Sequence, residues 1–165
     1  MKVIVLVIVF IVSFHLQTLS VNAKEISSQK KRGRINVDVV GLESSKGLVR
    51  FCLHEANTFT KKNLKLERNA KHFYDDFKSI NDGNCRWTSE PIPYGDYAII
   101  VYHDENNNNE MDRKWRIIPI EKLGISNFNE KLNSYLVEED FKKAKIELNS
   151  EESPLITIQL FFPGR

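Results

Sequence analysis

Apolar residues recur at every second position in several short stretches of this chain, a period that predicts strands half-buried on one face. Ile35, Val37 and Val39 alternate with Asn36 and Asp38. After a turn around Gly41 to Gly47, a second strand runs from Leu48 to Leu53, with Val49, Phe51 and Leu53 on one face and Arg50 and Cys52 on the other. Cys85 to Thr88 predicts a strand with Cys85 and Trp87 on one side. Tyr97 to His103 is apolar on both faces, as a central strand covered from two sides would be. Ala144, Ile146 and Leu148 alternate, as do Ile156, Ile158, Leu160 and Phe162. One stretch departs from this period. Leu66, Ala70, Phe73, Tyr74 and Phe77 share a single helix face, which predicts a short helix around residues 64–78, with a packed loop as the competing reading.

Some six short strands with turn signals between them and no recurring strand–helix alternation predict an all-β domain. The expected architecture is a single antiparallel β-sandwich, immunoglobulin-like or transthyretin-like, over residues 34–163. The chain of 165 residues is long enough for one such domain.

Composition changes this picture mainly at the amino terminus. Lys2 precedes an almost wholly apolar run from Val3 to Phe14, and Val21-Asn22-Ala23 offers a small residue for cleavage. These features read as a secretory signal peptide over residues 1–23, since the run is shorter than the roughly 20 residues a membrane span needs. The chain is therefore expected to be exported, to periplasm or extracellular space, and not to remain an integral membrane protein after cleavage. Residues 24–33, which include Lys30-Lys31-Arg32, read as a basic solvated linker. The formal net charge of only +2 argues against a dedicated nucleic-acid binder.

Export also bears on the two cysteines. In an oxidising compartment a Cys52–Cys85 disulfide is the default, and two separate thiols are the alternative.

The segment with most chemistry in it is His103-Asp104-Glu105-Asn106-Asn107-Asn108-Asn109-Glu110-Met111-Asp112. Side-chain oxygens at Asp104, Asn106, Asn108 and Asp112 fall at positions one, three, five and nine, the spacing of a calcium loop. Position seven, which supplies a main-chain carbonyl, is Glu110. Position twelve is Trp115 rather than the bidentate glutamate of an EF-hand, and the loop follows a strand, so an EF-hand is rejected. Glu121 is the first candidate for a further ligand from outside the loop. So few carboxylates imply weak Ca²⁺ affinity, of the order of 10⁻⁴–10⁻³ M. An Asn-rich solvated turn, its side chains serving backbone donors, is the alternative.

Pro93-Tyr94-Gly95-Asp96-Tyr97-Ala98, then His103-Asp104, Asn106, Asn108 and Asp112, then Pro119, Glu121 and Gly124-Ile125-Ser126-Asn127 resemble the central signature of the bacterial domain of unknown function 2141 family. The resemblance covers roughly residues 34–162 and is strongest from 93 to 127. It implies a small exported bacterial protein and carries no assigned activity. Asn109 stands where glycine is usual in that signature, and Ile125 where an aromatic residue is usual.

Three functions compete. A non-enzymatic binding or structural module of the bacterial envelope fits export, strands and an acidic loop without catalytic partners. A hydrolase acting on a glycan or cell-wall substrate would use His103 and nearby carboxylates, although adjacent residues of a strand face opposite ways and no G-x-S-x-G or H-E-x-x-H motif is present. A carbohydrate-binding or adhesive surface would use Trp87, Trp115 or Tyr102 if they are exposed. His103 is expected to hydrogen-bond the loop or pack on Trp115, and His54 and His72 to be packing or surface residues. The partner expected on the first and third readings is an envelope glycan or protein.

Overall fold

The computed structural model describes residues 30–60, 62–67, 70–115, 118–128 and 140–162. The expected signal peptide over residues 1–23 and most of the basic stretch lie outside these residues.

Two sheets face each other. In the first, β1 (Arg32–Val40) is central, flanked by β4 (Cys85–Thr88) and β11 (Glu152–Gln159), while β5 (Ile92–Pro93) pairs with its start. In the second, β6 (Gly95–Asp104) lies between β2 (Leu48–His54) and β10 (Ile146–Leu148), with β3 (Tyr74–Ser79) beyond β2. A short β9 (Leu123–Ile125) also pairs with β6, and a small hairpin is made by β7 (Arg113–Lys114) and β8 (Ile118–Pro119). The alternation read along the chain becomes the space between the sheets. Ile35, Val37 and Val39 of β1, Val49, Phe51 and Leu53 of β2, Tyr97, Ile99 and Val101 of β6 and Trp87 of β4 form one buried cluster. Phe51 and Trp87 stack across it with ring centroids 4.7 Å apart.

β6 is covered on both sides, as its composition predicts. Its outward residues Ala98, Ile100 and Tyr102 join Cys52, Phe59, Leu66, Met111, Ile125 and Phe141 in a second buried cluster. Loops and the short helix α1 (Phe141–Ala144) supply that cover.

The all-β sandwich is as expected, and three details are corrected. The pairing is not antiparallel throughout: β1 and β11, the strands from the two ends of the domain, run parallel. Among the described residues of 64–78 there is no α-helix. A single 3-10 turn spans Asn63–Lys65, Leu66 takes a left-handed φ of 51° that ends it, and Tyr74–Ser79 pairs antiparallel with β2. The helical spacing of apolar residues there reflects a loop that buries Leu66 followed by an edge strand that leaves Phe77 half exposed.

The third correction concerns Cys52 and Cys85, which are both buried free thiols. Cys85 belongs to the cluster between the sheets and Cys52 to the cluster on the outer face, so no bond joins them. Burial pushes the Cys85 thiol up to about 11 and raises that of Cys52 further, so both stay protonated at neutral pH.

Candidate functional site

The acidic loop leaves the end of β6 and folds back on itself. Asp104, the last residue of β6, is fully buried. Its Oδ1 accepts the Asn108 N–H at 3.0 Å and its Oδ2 accepts the Asn109 N–H at 2.9 Å. The same Oδ2 accepts Arg50 Nε at 3.0 Å, a charge-assisted bond that offsets the cost of burying the carboxylate. Asn107 and Asn109 adopt left-handed φ values of 59° and 66°, which asparagine tolerates better than most residues, so the chain turns here without glycine. A glycine is needed instead at Gly47 in the adjoining turn. Its φ is 71°, and a Cβ there would lie 2.1 Å from the Asp104 carbonyl oxygen.

Three of the four spaced side chains meet directly, and Asp104 joins them through the Asn108 N–H that it shares with Asn106 Oδ1. Asn106 Nδ2 and Asn108 Nδ2 donate to the two oxygens of Asp112, at 2.6 and 2.9 Å. Asn106 Oδ1 accepts the Asn108 N–H and Asn108 Oδ1 accepts the Glu110 N–H. Asp112 forms no ion pair among the described residues and is held by neutral amides alone. The donor set is one of hard oxygens, the chemistry that suits Ca²⁺ and not a soft metal. With only two carboxylates in the ring, it contains no group of three His, Cys, Asp or Glu able to hold a metal, nor does any other place among the described residues.

Glu121 lies beside the loop, as expected, but its contacts are those of a brace. One oxygen accepts the Glu105 N–H and the other the Asp112 N–H, both at 3.0 Å, so it ties the start of the loop to its end. Desolvation raises its pKa to about 7, against the two backbone hydrogen bonds that lower it; Asp112 and Asp104 add to the rise.

His103 is buried, with Nε2 2.7 Å from the Lys46 carbonyl and Nδ1 3.7 Å from Glu105. A carbonyl only accepts, so Nε2 carries a proton and donates to it. The ring therefore fastens the end of β6 to the turn before β2, and it lies buried. Trp115 does not pack on it: it is 74% exposed, with Lys114 Nζ 4.7 Å from its ring centroid. Trp87 and Tyr102 are both buried.

Residues 37–155 match the profile of a family described as an uncharacterized protein conserved in bacteria, DUF2141. The chain belongs to this family. No curated protein and no solved structure is significantly similar to it. Membership thus covers the sandwich from β1 into β11, including the whole acidic loop, and brings no activity with it.

Sequence reading alone passed over Arg50 as a site residue. Its signal was its place on the outer face of β2: Leu48 pairs with Asp104 and Arg50 with Tyr102, which puts the guanidinium diagonally across from the first residue of the loop.

Proposed function

We propose that this chain is an exported bacterial protein that works as a non-enzymatic binding or structural module, and that its acidic loop takes one Ca²⁺ weakly. The observation that carries the reading is the convergence of Asn106 and Asn108 on an Asp112 carboxylate that makes no ion pair among the described residues. Asp104, Asn106, Asn108, Asp112 and the Glu110 carbonyl would hold the ion. Glu121 and the Arg50–Asp104 pair would hold the loop in shape. A bound cation would supply charge neutralisation to Asp112 and rigidity to the loop.

The hydrolase alternative loses support, because His103 is buried and its Nε2 is bound to the Lys46 carbonyl. For the carbohydrate or adhesive alternative, the exposure of Trp115 is the one favourable observation. Its partner would be an envelope glycan or protein. Among the described residues, no helix is long and apolar enough to cross a membrane.

Thermal unfolding at increasing Ca²⁺ tests the ion. A dissociation constant near 10⁻³ M predicts a stabilisation of about 1.4 kcal/mol at 10 mM Ca²⁺. Asp112→Asn should abolish the response while the protein stays folded. An unchanged melting temperature at millimolar Ca²⁺, with Asp104→Ala equally unresponsive, would sink the claim. Export is checked separately by sequencing the amino terminus of secreted protein, which should begin at Lys24.

A further inference from the structure

A cavity of about 440 Å³ opens on the outer face of β2, β3 and β6, bordered by Leu66, Glu67, Ala70, Lys71 and His72 and touched by Asn109 at one end. It is distinct from the proposed ion ring and large enough for a small organic ligand. At its floor are Tyr102 and Cys52, both buried, and the largely buried guanidinium of Arg50.

Tyr102 is only 3% exposed, and its hydroxyl makes no hydrogen bond among the described residues; since Ser44 Oγ is the one buried side-chain oxygen or nitrogen there without a partner, the hydroxyl is open to the cavity. Arg50 is held by Nε on Asp104 and lies over the Phe77 ring, 5.0 Å from its centroid. Its two Nη atoms make no hydrogen bond among the described residues. A pinned guanidinium with a free edge beside an unpartnered phenol is a ready receptor for a carboxylate, which accepts two parallel N–H bonds from such an edge.

The rim has the opposite bias. Asp75 lines the cavity and forms no hydrogen bond or ion pair among the described residues. His72 lines it too, and its tautomer follows from a chain of contacts. His54 Nδ1 lies 3.1 Å from the Thr58 carbonyl, which can only accept, so that nitrogen carries the proton. Neutral His54 must then accept at Nε2, from His72 Nδ1 at 3.3 Å. His72 is left with Nε2 as a lone-pair acceptor that has no partner among the described residues. Burial keeps both rings neutral near pH 7. Glu67 and Lys71 add one charge of each sign to the rim, whereas Asp76 is committed to the Trp87 indole N–H.

We propose that this cavity binds a small zwitterion of amino-acid or dipeptide size, with its carboxylate on Arg50 and Tyr102 and its ammonium on Asp75 and His72. The site requires no ion in the acidic loop, so it stands or falls apart from the calcium reading.

The test is an NMR titration of the full chain with three probes: alanyl-alanine, N-acetyl-alanyl-alanine and alanyl-alanine amide. The zwitterion should give saturable shifts centred on β2, β3 and β6. Each blocked peptide should bind at least about tenfold more weakly. Tyr102→Phe, which removes only the hydroxyl, should weaken alanyl-alanine several-fold with the rest of the spectrum unchanged. Asp75→Asn, on an exposed edge, should erase the penalty for N-acetylation. The proposal is overturned if no probe saturates by about 10 mM, if the blocked peptides bind as well as the free one, or if Tyr102→Phe leaves affinity unchanged.

Discussion

The two faces of the β6–β2 sheet are built by different means. On the inner face Ile99, Val101, Phe51 and Leu53 meet the apolar side of β1, β4 and β11, strand against strand. On the outer face Ala98, Ile100, Tyr102 and Cys52 are covered by loops and one short helix, and polar groups sit among them. His54, fully buried at the end of β2, is satisfied by a carbonyl of the loop that follows it and by a second histidine. The inner face is held by area removed from water, and its residues are interchangeable in kind. The outer face depends on particular hydrogen bonds, and there polar side chains open onto a cavity. A chain that needs stability and a site can keep the two demands on opposite sides of one sheet.

The largest break in this contrast should come from the inner face. Trp87 is 1% exposed, stacks on Phe51 and donates its indole N–H to Asp76 at 2.8 Å. Trp87→Ala should cost about 3–5 kcal/mol in urea unfolding, through lost burial and the cavity left behind. Tyr102→Phe on the outer face should cost about 1 kcal/mol or less, because its hydroxyl has no partner among the described residues to lose. Comparable losses at the two positions would show that the faces do not divide the work.

A second, smaller effect depends on pH and belongs to the outer face alone. Burial, with the neighbouring His72, lowers the pKa of His54 from 6.5 to about 4. The unfolded chain then binds more protons than the folded one between those values, so stability rises with pH. The contribution is complete above about pH 6.5 and is lost as pH falls through 4, up to roughly 3 kcal/mol. His72, also lowered by burial, adds in the same direction. His54→Gln can still donate to the Thr58 carbonyl but does not titrate. The stability difference between pH 7 and pH 4 should therefore shrink in that variant, while other groups contribute equally to both proteins. An unchanged difference would mean that the histidine pair is not buried neutral.

Much of the inner face could be read from sequence, because period-two alternation and burial are the same fact for a strand in a sandwich. Ile35, Val37 and Val39 follow that rule, and the doubly apolar β6 announces its central place. The ligand spacing of the acidic loop is equally local, and its side chains do meet. The parallel pairing of β1 with β11 was not legible, since it is decided by how the two ends of the domain come together. β3 was misread because Leu66 to Phe77 satisfies a helical template by chance. Pairing with β2, beginning with the Phe73 N–H on the Leu53 carbonyl, outweighs that local pattern. Glu121 was found as a carboxylate near the loop, but its bracing role depends on two backbone N–H groups that no spacing rule reveals. Arg50, Tyr102 and His72 come from three separate segments, so their shared cavity exists only in the fold.

The smallest predicted effect concerns the two thiols and tests the separation of the faces most directly. Cys52 and Cys85 sit in clusters on opposite sides of β2, and a disulfide needs Cα atoms within about 7 Å and side chains aimed at each other. Joining them would mean turning β2 over, which would carry Phe51 and Leu53 out of the core with it. Protein prepared under oxidising conditions should therefore unfold at the same temperature with and without a reducing agent. Alkylation after denaturation should modify both cysteines. In the native state alkylation should be slow, since burial keeps both thiols protonated. A loss of about 3–4 kcal/mol on reduction, the size expected for opening a loop of this length, would mean that the bond forms and that the two faces are less independent than their packing implies.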